Sequence, residues 1–374
     1  MAGLRPVAEQ MVQAHPTKAQ PQCRPNSGCT VSDLKAVGEE TDSIMRWQER
    51  YGIDTSKHVR IVKISHMRYQ HPDLDRITTF LADFGMFIAR RTDDRIWFRG
   101  YGNDQYVYYA QRGEKKFLGG TFEVEDMAQL DKATQIAGAG PIISLDDSPG
   151  GGHMVALHDL DGFPINLIYG QAPAQTGTYP EKIVYNYEDD KPRIRCFNRF
   201  EPGPAAVHKL GHYGLCTQDF ERLLSWYTKN FNFAPTDFLY EPHEGDNVGG
   251  RSSGYGKRDV GVFMHVDRGS QPVDHHTLFL TKNQTRHVHH ASFEVHDFDT
   301  QHLGHQWLVG KGYQSVWGIG RHVLGSQISQ PSPMASSYLL TVFVWHIFDY
   351  CGFSDYHFNR FYTDRVQGGM STEI

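Results

Sequence analysis

Cysteine is sparse in this sequence. Its five thiols, Cys23, Cys29, Cys196, Cys216 and Cys351, stand without CxxC spacing, which excludes a zinc ribbon and offers no disulfide framework. Reduced thiols in a cytoplasmic protein are the plain reading. Long apolar runs are missing too. The longest, YLLTVFVWHIF at 338–348, is too short to span a bilayer, and the first thirty residues hold no apolar core of a secretory signal, so no membrane partner is expected. Positive charge is not in excess. The 37 Lys and Arg against 43 Asp and Glu give a formal charge of −6, which removes nucleic acid from the partner classes. The Gly-rich stretch HEGDNVGGRSSGYGKRD at 243–259 lacks a GxxxxGK[ST] pattern and a following helix, so it reads as a surface loop or a lid and not as a phosphate cradle. Histidine, by contrast, is abundant: 21 residues, many of them between 265 and 322, enough to raise the question of a metal.

With 374 residues, 39% of them hydrophobic, the chain exceeds one ordinary domain and can fill sizeable cores. Residues 1–58 are polar and weakly patterned, an N-terminal arm with one helix around SDLKAVGEETDSIMRWQERYG. From 59 the pattern sharpens. VRIVKISHMRY alternates as a strand, DLDRITTFLADFG has helical spacing, and MFIARR, RIWFRGY and QYVYYAQ read as three strands. The order then recurs with LGGTFEVED, the helix MAQLDKATQIAG, and the strands GPIISLDD, HMVALHDLDG and PINLIYG. A Pro- and charge-rich linker spans 171–206. After it the whole arrangement returns: ISHMRYQHPDLDRITTFLADFGM lies on LGHYGLCTQDFERLLSWYTKNFNF, and GGTFEVEDMAQL on HHASFEVHDFDTQHL. The fold class is therefore α+β. Two modules, 59–170 and 207–374, are each built from paired βαβββ units whose sheets form an incomplete barrel around a central cavity.

The repeat separates the modules chemically. His66 matches His212, but Gly119 matches His290, so only the second module has both imidazoles on strands that would face one cavity. Glu294 stands beside them, yet Glu123 holds the same place in the module without the pair, so Glu294 reads as structural. In RHVHHASFEV, alternation puts His290, Ser292 and Glu294 on one face and turns His289 away, which makes His287 and His289 bystanders.

LGHYGLC, HHTLFL, HHASFEV and GIGRHVLGSQI, in that order, resemble the catalytic-module motifs of the type I extradiol catechol dioxygenases of the vicinal oxygen chelate superfamily. The resemblance covers roughly 59–328, with a broken continuation to about 366. It implies Fe(II), with Mn(II) as the alternative, O2 as co-substrate and a small aromatic diol opened beside its hydroxyls. It further implies His212 and His290 as metal ligands, His276 as acid/base with His275 as its runner-up, His322 on the substrate hydroxyl, and Tyr350 as a hydrogen-bond donor to the catecholate. A facial set of two His and one carboxylate suits such chemistry because it leaves positions open for both catecholate oxygens and O2. Assembly as a homo-oligomer is compatible with the resemblance.

The pattern breaks at SQPSPMASSYLLTVFVWHI, residues 329–347, which lie between GSQI and FDY where the family passes directly. Counting on from Tyr350 puts Arg360 at the place of the ligand Glu, and a guanidinium offers no lone pair. Three explanations stay open: 329–347 is a retained intron or gene-model error, Asp355, Asp364 or water replaces the Glu, or the cavity binds a ligand without metal. The competing functions are a metal-free binding or sequestering protein and a glyoxalase-like isomerase or lyase. The latter would need His66 to join, against which Gly119 and Asn166 argue.

Overall fold

The computed structural model describes residues 44–178, most of 180–197, 199–243, 256–313, 319 and 341–345. Residues 1–43, His322, Tyr350 and Arg360 lie outside these. A helix over 44–50 (α1) falls within the anticipated helical stretch of the arm. The first module runs β1 (Ile61–His71), α2 (Leu74–Phe84), β2 (Phe87–Arg91), β3 (Arg95–Arg99), β4 (Tyr108–Arg112), then β5 (Lys116–Val124), α3 (Met127–Ala133), β6 (Ile143–Ser144), β7 (His153–His158) and β8 (Pro164–Tyr169). The second runs β9 (Val207–Thr217), α4 (Phe220–Asn230), β10 (Phe233–His243), β11 (Gly256–Val266), β12 (Leu278–Lys282), then β13 (His287–Val295), α5 (Phe298–Gly310) and β14 (Thr341–Trp345). The mixed α+β fold is thus two curled sheets, ordered β2-β3-β4-β1-β5-β8-β7-β6 and β10-β11-β12-β9-β13-β14. GPIISLDD contributes only the two residues of β6.

Local chemistry starts each helix alike. Asp73, Asp126, Asp219 and Asp297 sit at the N-caps of α2, α3, α4 and α5, and each side chain accepts a backbone N–H of the first turn. Leu74, Ile77, Phe80, Leu81 and Phe84 then put one apolar face of α2 inward.

One core serves both halves. Phe84 of α2 meets Phe293 of β13 edge-on at 5.9 Å, and Phe80 meets Tyr313 at 5.4 Å. Asp83 accepts hydrogen bonds from Trp307 Nε1 and Tyr313 Oη. Reciprocally, Tyr227 of α4 donates at 2.9 Å to Asp159 in the β7–β8 turn, and Asn232 accepts from Ile61 N while donating to Ile61 O. The opening helix of each module therefore covers the closing half of the other.

The registers repeat residue for residue. His66 pairs with Thr121 as His212 pairs with Ser292, and Arg68 pairs with Gly119 as Gly214 pairs with His290. The last strand breaks the symmetry. β8 runs parallel to β5 and sets Asn166 opposite Thr121, whereas β14 runs antiparallel to β13 and sets Val344 opposite Ser292. β14 belongs to the interrupting segment, so backbone from 341–345 takes the sheet position that the repeat assigns to the closing strand.

Candidate functional site

His212 on β9 and His290 on β13 are residues of adjacent strands in the second sheet. Their Nε2 atoms face each other at 2.8 Å. Two nitrogens each about 2.1 Å from a shared ion stand roughly 3 Å apart when they are neighbours in its coordination shell. The imidazole pair therefore fits a metal. Close approach is possible because residue 214 is glycine: a Cβ there would lie 3.0 Å from His290 Cε1 and 2.9 Å from Phe279 Cδ1. Among the described residues no group of three His, Cys, Asp or Glu side chains converges, so the donor set there stops at two.

His276 is 1% exposed, and its ring lies against His212 with centroids 4.0 Å apart. Its Nδ1 is 3.0 Å from Nδ1 of His275, whose Nε2 lies 3.0 Å from Asp237 Oδ2. Of the two neighbours, His276 faces the imidazole pair and His275 turns to a carboxylate. Phe263 and Phe279 stack at 4.6 Å and press their edges and faces on His276, His289 and His290, an apolar wall along the site.

His289 departs from strict alternation. The register of β13 shifts between Val288 and His290, and this bulge buries His289 to 4% exposure with its Nδ1 2.6 Å from His290 Nδ1. It is no bystander. Its contact occupies Nδ1 of His290 and leaves Nε2 as the atom aimed at His212. His287 stays at the strand end, where burial holds its pKa below the ordinary value.

Glu294 points away from the pair to an ion cluster: Lys209 Nζ lies 3.1 Å from its Oε1 and 2.7 Å from Asp274 Oδ2. The first module repeats the cluster, with Lys63 against Asp104 and 3.6 Å from Glu123. Two-fold recurrence of these ions, one copy in a module without the imidazole pair, marks them as structural. In that module His66 packs tilted against Tyr106 at 4.3 Å, and Asn166 Nδ2 donates to Leu118 O across the place of a second imidazole. Gly119, at φ 109°, could not carry a side chain there without strain, since a Cβ would meet the backbone oxygen of Pro164 at 2.6 Å.

Residues 209–352 match the glyoxalase/bleomycin resistance protein/dioxygenase superfamily. The second module is thus similar to this superfamily. The superfamily match runs through the interrupting segment to Gly352. The chain is 27% identical over 271 residues to Metapyrocatechase 2 of Cupriavidus necator, covering 70% of this chain and 74% of that protein. Among solved structures it is similar to the Mn(II)-bound glyoxalase from Novosphingobium aromaticivorans, with TM-score 0.54, 19% identity, and coverage of 71% and 76%. It is also similar to homoprotocatechuate 2,3-dioxygenase from Arthrobacter globiformis, with TM-score 0.51, 16% identity, and coverage of 68% and 70%. Both structural likenesses concern the fold. No helix among the described residues is long and apolar enough to cross a membrane.

The sequence reading missed His289 and Asp237. The HH doublets at 275–276 and 289–290 were the available signal. A doublet on a strand can put both rings to use only where a bulge or a strand end relaxes alternation, and no residue type announces the bulge at 289.

Proposed function

We propose that this protein is an extradiol dioxygenase that opens a catechol-like aromatic diol with O2, using Fe(II), with Mn(II) as the alternative ion. The observation that carries this reading is the 2.8 Å convergence of His212 and His290 Nε2 beside the ring of His276. The 27% identity to a metapyrocatechase supports it. His212 and His290 would hold the ion, which supplies a site where both diol oxygens and O2 can bind side by side. His289 orients His290 through Nδ1. His276, walled by Phe263 and kept from water, is placed to hold or pass a proton near the diol, a role suited to an imidazole. His322 and Tyr350 are assigned to the substrate oxygens on resemblance alone.

A second reading, a metal-free binding protein, draws on one observation: Val344, and no carboxylate, stands in register with Ser292. Iron content and catechol-dependent O2 uptake of protein purified without oxygen separate the two. The chain is compared with a form lacking 329–347 and carrying Arg360→Glu. Activity only in the repaired form supports the dioxygenase reading and makes the interrupting segment and Arg360 together the cause of its silence. Activity in both means another group completes the site. Absence of iron from both sinks the dioxygenase and leaves the binding protein.

A further inference from the structure

One face of the first module's sheet holds a cation that the proposed chemistry does not use. Arg68 occupies the register position of Gly214, so a guanidinium stands in the first module where the second leaves room for its imidazole pair. Arg68 Cζ lies 4.5 Å from the centre of the Tyr109 ring, and Nη1 is 3.3 Å from Met154 Sδ. No carboxylate among the described residues pairs with it, and its Nε is buried without an acceptor.

Three neighbours share this condition. His66 is fully buried and its Nε2 has no hydrogen-bond partner, nor has the hydroxyl of Thr121 or the indole N–H of Trp97, both at most 1% exposed. Register puts them together: Trp97 opposite Tyr109, Tyr109 beside Arg68, and His66 opposite Thr121, across the adjacent strands β3, β4, β1 and β5. Trp97, Tyr106 and Tyr109 form an aromatic cluster with Leu118 against it. Burial and the Arg68 charge keep the His66 imidazole neutral.

An uncompensated guanidinium among aromatic rings is costly, and buried unpaired donors point to a group that completes them. The unpaired groups are mainly N–H and O–H donors around a fixed positive charge, which disfavours a metal ion and suits an anion. The planar fork of Arg matches a carboxylate, and the aromatic walls match an apolar body. Arg68 keeps a small part of its side chain in solvent at the edge of this cluster, so a ligand would enter there, and the closed rings of Trp97 and Tyr109 would have to part to admit it. We propose that this face of the first module binds a small organic carboxylate, its carboxylate on Arg68 and its apolar body admitted as Trp97 and Tyr109 part.

The probe is sodium benzoate, titrated calorimetrically into the full chain at low chloride. Benzoate should bind, Arg68→Met should weaken it at least about tenfold, Arg68→Lys should fall between, and uncharged benzamide should bind wild type no better than benzoate binds Arg68→Met. His290→Ala should leave benzoate binding unchanged. Thermal midpoints check folding, and Arg68→Met, which sets an apolar chain beside Met154, should melt no lower than wild type. No benzoate binding to wild type overturns the proposal. So does binding that is lost in His290→Ala but kept in Arg68→Met, or benzamide binding equal to that of benzoate.

Discussion

At the scale of single residues, Glu123 and Glu294 hold one position in two copies of a strand and differ in their access to water. Glu294 is 3% exposed beside Lys209 at 20%, while Glu123 and Lys63 are 35% and 39% exposed. Removing one member of a buried pair strands its partner's charge, whereas an exposed pair is screened. Glu294→Gln should therefore cost about 3 kcal/mol, tempered because Asp274 still faces Lys209. Glu123→Gln should cost under about 1 kcal/mol. Urea denaturation midpoints of the two variants check this, and equal losses would refute the contrast. That Glu294 serves the scaffold was legible in the sequence because its twin stands in a module without the imidazole pair. The partner Asp274 was not, because it lies 65 residues from Lys209 and nothing local links them.

At the scale of elements, the strands and helices declared themselves through period and through the recurring Asp caps. His66, His212, Gly119 and His290 fell into register for the same reason. The features that escaped are those where the backbone leaves its period. The bulge at 289 turns an outward residue inward, and β14 seats a stretch with no repeat counterpart in the closing-strand position, where direction depends on competition between segments and not on composition. Close packing at Gly214 gives a test of the site at this scale. Gly214→Ala should push the His290 ring aside and weaken Fe(II) or Mn(II) binding by about tenfold while leaving the far-ultraviolet spectrum intact. Anaerobic metal titration is the measurement, and unchanged affinity would show that the ring needs no such clearance.

At the scale of the whole molecule, Asp159 joins the modules, and its burial makes that joint sensitive to acid. Desolvation raises its pKa from 3.8 to about 6, against the opposing pull of the Phe163 N–H and Tyr227 hydrogen bonds. Between these values the folded protein retains a proton that the unfolded chain has released. Stability therefore falls as pH rises from about 4 to about 6, by about 3 kcal/mol for this group, and the loss is complete above that window. Asp159→Asn keeps an acceptor for the backbone N–H groups of Asp161 and Phe163 and removes the titration. The stability difference between variant and wild type should grow in favour of the variant across this window, and a difference that stays flat with pH would refute the assignment.

The reciprocal packing has a consequence for descent. Phe84 rests on Phe293, Tyr227 holds Asp159, and Asn232 clasps Ile61, so each half supplies walls that the other lacks. After a duplication of this kind, mutation is free to erase the chemistry of one copy but not its presence. The copy without the imidazole pair becomes an obligate chaperone in cis for the copy that carries it, and is left open to acquire an unrelated ligand at no risk to its twin.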